Sequence, residues 1–150
     1  MNSLPKDQHS FHLQKVTDDD DASQFIFVHQ TANQKRLMER YGNEICLLDA
    51  TYKTSRYALP LFFVAVPTNT RYQVIASFIL SSETTECISR ALSILSSWNP
   101  TWKPANWMTD CCQAEITSVE TVFPGKCTLL DAGWYCIFHQ RLVKISHTQE

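Results

Sequence analysis

Residues 46–66 read CLLDATYKTSRYALPLFFVAV, and the two apolar runs in this stretch decide the fold class. Cys46-Leu47-Leu48 is a short run that ends in Asp49, and Leu59 to Val66 is apolar at both alternations. A strand buried on both faces reads like the second run. Asp49 is therefore expected where the first strand leaves the core. A carboxylate buried without a hydrogen bond or counter-ion costs several kcal/mol, so Asp49 needs a partner. Thr51, Thr54, Lys53 and Arg56 are close enough in sequence to supply one.

Working toward the C-terminus, Arg71 to Leu80 is a third strand, joined to the second through Pro67-Thr68-Asn69-Thr70. That link is too short for a crossover helix, so strands over Ile45–Asp49, Leu59–Val66 and Arg71–Leu80 should form an antiparallel meander. The period then changes. Between Thr84 and Ser97, Ile88, Ala91, Leu92 and Leu95 recur at helical spacing, and Asn99-Pro100 ends the run. Trp107-Met108-Thr109 leads into Asp110, and a second helix buries Ile116, Val119, Val122 and Phe123 before Pro124-Gly125. Cys127 to Leu130 is a further strand, which Trp134 to His139 either extends or follows as a new element. Three antiparallel strands followed by strand–helix alternation make a mixed α/β sheet with flanking helices.

Toward the N-terminus, Phe25-Ile26-Phe27-Val28 is a short strand, and Asn33 caps a helix through Tyr41 with Leu37, Met38 and Tyr41 on one side and Gly42 beyond its end. Lys35, Arg36 and Arg40 are read as a solvated face. Residues 1–23 carry the run Asp18-Asp19-Asp20-Asp21 and no periodicity that buries a face. They are expected to be a disordered acidic lead-in, with a single domain over 24–150.

Composition narrows the function. A net charge of −2 supplies no general excess of positive charge for gripping phosphates. Three isolated glycines, Gly42, Gly125 and Gly133, leave no material for a phosphate-cradling loop. Six cysteines without a CxxC pair and without a signal segment read as reduced thiols in a protein that is not secreted. The absence of an apolar run of spanning length argues against a membrane partner.

Asp49 and Asp110 each follow an apolar strand, which can bring both to one edge of a sheet, where open α/β sheets bind ligands. Two converging carboxylates suffice to begin a Mg²⁺ site, and two-metal nucleases use such ions on the attacking and leaving oxygens. The structural alternative stands beside this one. Asp110 with Gln113 has capping-box spacing, Glu115 reads as an exposed helix residue, and Glu83 and Glu86 fit a first helical turn where the dipole favours acids. Cys136 and His139 offer half of a zinc site, which Cys127 and His147 could complete only without a regular second pair, so zinc is disfavoured. Cys111-Cys112 falls at a helix start, where a thiol pKa can drop.

The segments LLDATYKTSRYALPLFFVAV, ILSSETTE, MTDCCQAEITSVETVFP and YCIFH, taken in order, resemble the catalytic domain of Mutator-like-element (MULE) transposases. The resemblance is closest to domesticated animal relatives in SWIM-type zinc-finger and calcium-responsive transcription-factor-like proteins, and it covers roughly Gln34 to Arg141. It implies an RNase H-like fold and a DDE-type site for cutting and joining DNA with Mg²⁺ or Mn²⁺. Asp49 in DATYKT matches the first catalytic aspartate and metal ligand, Asp110 in MTD the second, and Cys136 and His139 a supporting Cys-x-x-His motif. The family's third acid is a later glutamate, and Glu150 follows Cys136-x-x-His139 too soon to match it. The expectation is thus a C-terminally incomplete, transposase-derived domain that does not catalyse strand transfer alone. DNA is its partner by resemblance, and its location is nuclear by the same resemblance or cytoplasmic. The alternative is a domesticated nuclear protein-interaction or transcription-regulatory module that uses the fold as a scaffold.

Overall fold

The computed structural model describes residues 9–14, 25–51, 56, 58–109 and 112–129. Seven strands and three helices follow in the order β1 (His9–Gln14), β2 (Ile26–Thr31), α1 (Ala32–Tyr41), β3 (Ile45–Thr51), β4 (Leu61–Pro67), β5 (Tyr72–Leu80), α2 (Thr85–Trp98), β6 (Asn106–Thr109), α3 (Gln113–Val122) and β7 (Cys127–Leu129). They build one sheet in the order β1-β2-β5-β4-β3-β6-β7. β3, β4 and β5 form the expected antiparallel meander. β6 lies parallel to β3, and β7 parallel to β6. This is the mixed sheet with packed helices expected from the strand and helix pattern, and it is consistent with the RNase H-like fold that the resemblance implies.

The alternation of side chains along a strand sorts the apolar residues into two faces. Phe62, Val64 and Val66 of β4 point into the main core, with Leu48 of β3, Phe78 of β5 and Val28 of β2. Met38 of α1, Leu92 and Leu95 of α2 and Val119 of α3 close that core from above. The rings of Phe62 and Phe78 stack across β4 and β5 at 4.9 Å between centroids. Leu47 and Ala65 lie on the opposite face in a separate cluster, against Tyr72, Val74 and Met108.

Several boundaries differ from the sequence reading. His9–Gln14 was expected within the disordered lead-in, yet it pairs antiparallel with β2, Leu13 against Phe27 and Phe11 against His29. Only a neighbouring strand makes so short an alternation worthwhile, which local periodicity does not reveal. β3 runs through Thr51, so Asp49 lies inside the strand rather than after it. α1 is capped by Thr31, not Asn33. Thr31 Oγ1 accepts from the Gln34 amide at 3.1 Å, and the Gln34 side chain accepts from the Thr31 amide at 2.9 Å, a complete capping box. α2 begins after Thr84, whose hydroxyl accepts from the Cys87 amide.

The link between α1 and β3 turns on Gly42. Its φ of −78° suits any residue; space is the constraint. An added Cβ would meet the Met38 carbonyl oxygen at 2.5 Å and the Trp102 ring at 3.0 Å. The Gly42 carbonyl also accepts from Trp102 Nε1 and from Cys46 Sγ, each at 3.2 Å. Gly42→Ala is therefore expected to cost about 1–3 kcal/mol, the range for overpacking a filled interior. A urea midpoint equal to that of the parent chain would show that the Trp102 side of the turn yields without strain.

Candidate functional site

Asp49 is 4% exposed. It is registered against Phe63 of β4, Phe63 against Ser77 of β5 and Ser77 against His29 of β2. These four residues form one row across the sheet. By alternation Asp49 shares a face with Leu47 rather than with Leu48 and Ala50. Its neighbours Leu48 and Ala50 belong to the main core, so the carboxylate sits on the side of the strand opposite the helices among the described residues. The carboxylate is not free.

β6 reaches the same end of the sheet. Leu47 pairs with Met108 in parallel register, and Thr109, 2% exposed, closes the strand. Asp110, Cys136 and His139 lie outside the described residues. Of the four residues matched to the family's motifs, Asp49, Asp110, Cys136 and His139, Asp49 is thus the one whose surroundings are described. α3 begins at Gln113 with Cys112 at its N-cap position, and the capping box expected for Asp110 and Gln113 turns on Asp110, outside the described residues. The Gln113 side chain donates to Thr117 Oγ1 at 3.0 Å.

A second group gathers where α2 and α3 begin. Ligating atoms of Glu83, Cys112 and Glu115 all lie within 4.8 Å of one another, and Cys112 Sγ donates to Glu83 Oε1 at 3.4 Å. Glu115 is fully buried, a correction to its reading as an exposed helix residue. The buried arc of α3 is Glu115, Ser118 and Val119, with Ser118 Oγ bonded to the Thr85 carbonyl of α2 at 3.1 Å. The expected arc through Ile116 is displaced toward the side that meets α2 through Ser118, and Ile116 is left half-buried. Glu115-x-x-Ser118-Val119 has i, i+3, i+4 spacing, a signal that its charge disguised. Glu83 precedes the N-cap rather than lying in the first turn, which holds Glu86.

Two thiols, Cys46 and Cys112, have their pKa raised. Burial pushes the Cys46 thiol up to about 12, against a hydrogen bond from Trp102 that lowers it. Burial also raises Cys112, and Glu83 adds to that, opposing the backbone amides of Glu115 and Ala114. The sequence expectation of a lowered pKa at this helix start is thus reversed for Cys112. Because the unfolded Cys46 thiol ionises near 9.0 and the folded one near about 12, the folded state binds more protons between those values. The stability this represents is complete below pH 9 and is lost as pH rises toward 12. Urea midpoints should fall across that window, and Cys46→Ala should flatten the fall while lowering stability overall. Native alkylation followed by peptide mapping should label half-buried Cys112 at least about tenfold faster than buried Cys46 or Cys87. Equal rates would mean that the core around Cys46 opens readily.

A metal is implied by the fold relationship, and the described residues do not fit one of the Mg²⁺ class. Asp49 is one nearly inaccessible carboxylate, and the Glu83–Cys112–Glu115 group includes a protonated thiol, a poor partner for a hard cation.

At the other end of β3 and β4, Arg40, Tyr41, Glu44, Pro67, Thr68 and Asn69 line a polar groove, with the Arg40 guanidinium 5.4 Å from the Tyr41 ring centre.

Comparison with curated proteins gives no significant match, and comparison with solved structures gives none either. A family model does match. It is described as the RNaseH-like domain of zinc finger SWIM domain-containing protein 1/3, and it covers residues 3–129, including both added strands β1 and β2 and the whole meander. The observed strand order and that match over most of the chain agree, and the chain belongs to the RNaseH-like domain family of zinc finger SWIM domain-containing proteins 1 and 3.

Proposed function

We propose that this domain is a transposase-derived RNase H-like fold that works as a scaffold for protein contacts in the nucleus and does not cut DNA by itself. The observation that carries this reading is Asp49. A metal-dependent phosphodiester reaction needs a carboxylate open to a hydrated cation and to substrate phosphate, and Asp49 is only 4% exposed within a paired strand. The small net negative charge of the chain adds no steering toward DNA.

One observation favours a second reading, metal-dependent strand cleavage by a DDE-type site inherited from MULE-like transposases. Asp49 is two residues beyond Leu47 and Asp110 two beyond Met108, and Leu47 and Met108 are registered partners in parallel strands. Such a site would need a third acid and an opening around Asp49.

The two readings separate in one experiment. The purified chain is incubated with supercoiled and linear DNA in Mg²⁺ and in Mn²⁺, beside Asp49→Asn and Asp110→Asn. The scaffold reading expects no nicking above a metal-free control and no metal-dependent rise in melting temperature. Nicking that requires the metal and disappears in both variants would replace it with the nuclease reading.

A further inference from the structure

Among the described residues the exposed large apolar side chains are Phe11 and Leu13, 67% and 46% exposed. Both stand on β1, the last described strand on its side of the sheet. Phe11 is registered against His29 of β2 and Leu13 against Phe27, while Ile26 and Val28 belong to the main core. By alternation Phe11 and Leu13 therefore lie on the face opposite the helices, beside the stacked rings of Phe27 and His29. An edge strand turns the N–H and C=O of every second residue outward, a template for another strand, and folded proteins blunt such edges with charged side chains, proline or bulges. His9-Ser10-Phe11-His12-Leu13-Gln14 holds no Asp, Glu, Lys, Arg or Pro, and it meets β2 in six consecutive pairs. The edge is open and unblunted.

We propose that β1 pairs antiparallel with β1 of a second copy of this chain, about a two-fold axis at His12. The strand is self-complementary in that register. Ser10 faces Gln14, Phe11 faces Leu13, and His12 faces its own counterpart. Each exposed apolar side chain then meets an apolar partner on the same face, the pairing that stabilises sheets. A shift of one residue in either direction sets both Phe11 and Leu13 against polar residues. A shift of two leaves Leu13 opposite His9, or Phe11 beyond the end of the strand. The contact is isologous, and no carboxylate, ammonium or guanidinium group of the strand opposes its own copy across it. Six residues a side are few beside the about 1,200–2,000 Å² of a stable complex, so the association belongs at micromolar and higher concentrations. It rests on β1 alone and stands apart from either reading of Asp49.

Sedimentation velocity of the full chain from about 1 to about 100 µM, a range suited to a small interface, should show the mass move from monomer toward dimer. Phe11→Lys and, separately, Leu13→Lys place a charge on the exposed edge. Each should weaken association at least about tenfold while the far-ultraviolet circular dichroism stays that of the parent. His12→Cys reads the register, because opposed Cα atoms in an antiparallel pair are about 4.5–5.5 Å apart, within disulfide reach. Mild oxidation of that variant should give a dimer in which peptide mapping joins position 12 to position 12. A chain that stays monomeric across the whole range would leave the edge to another segment or to a different protein, and overturns the proposal. A dimer that neither Lys variant weakens, or one without the 12-to-12 link, places the contact elsewhere and overturns it equally. If the Lys variants do not fold, the disulfide map decides.

Discussion

Trp107→Ala is expected to destabilise the protein by about 3–5 kcal/mol, the range for emptying a large aromatic site in a packed core. Trp107 is fully buried in β6, registered against Cys46 of β3, at the point where the parallel half of the sheet joins the antiparallel half. Its ring centre is 5.5 Å from that of Trp102 in an edge-on arrangement and 5.2 Å from Phe123, and Trp102 and Phe123 meet each other edge-on at 5.2 Å. Three aromatic residues from β6, the loop before it and the end of α3 thus share one contact, and none can collapse into the space of another without moving a strand or a helix. Among the described residues the indole N–H of Trp107 finds no hydrogen-bond acceptor, so the contribution visible there is packing. Trp107→Phe should accordingly retain most of the stability, with a loss of about 1–2 kcal/mol for the smaller ring. Urea titration followed by far-ultraviolet circular dichroism reads both variants. A loss below about 1 kcal/mol for Trp107→Ala would show that the cluster does not hold the two halves of the sheet together.

Gln30→Ala should cost about 2–4 kcal/mol, for a different reason. Gln30 is 1% exposed on β2. Its amide nitrogen donates to the Ile75 carbonyl of β5 at 3.0 Å and approaches Met38 Sδ of α1 at 3.5 Å. Its oxygen accepts from Asn99 Nδ2 at 2.9 Å, and that same nitrogen donates to the Leu95 carbonyl in the last turn of α2 at 2.9 Å. One side chain therefore ties α1, α2, β2 and β5 inside the core. Removing it leaves buried polar atoms of Asn99 and Ile75 short of partners as well as a void, and an unsatisfied buried group costs more than the bond it lost. Asn99→Ala in the Gln30→Ala background should cost less than in the parent chain, with a coupling of about 1–2 kcal/mol in a double-mutant cycle. Additive losses would place the Gln30 effect in the cavity alone.

The meander was legible because its signals are local. Leu59 to Val66 announced a doubly buried strand, and both of its faces are indeed packed. Pro67 to Thr70 announced a reversal, which the structure closes with the Thr68 amide and hydroxyl on the Arg71 carbonyl. Ile88, Ala91, Leu92 and Leu95 announced the buried arc of α2, and all four are fully buried. β1 was not legible, since a six-residue alternation of mixed polarity becomes a strand only beside β2. The site was legible in part. Asp49 was singled out for where its strand runs, but its near-complete burial belongs to the sheet around it. Glu115 was misplaced because a carboxylate on an otherwise apolar arc reads as solvent-facing until another helix is known to cover it.

What the sequence by itself determined is the order and type of the elements from Ile45 to Leu129, together with the kinship that a family match over residues 3–129 bears out at the level of the RNaseH-like domain. The elements follow from side-chain period and turn chemistry, which act over a few residues, and the kinship from the resemblance of the motifs taken in order. Only the tertiary structure decided that Gln30 meets Asn99 across 69 positions, that Glu83 meets Cys112 across 29, and that the three described helices pack on one face of the sheet while Asp49 lies buried on the other. Those pairings depend on strand order and on the direction in which each helix crosses the sheet, and neither quantity leaves a periodic mark on the chain.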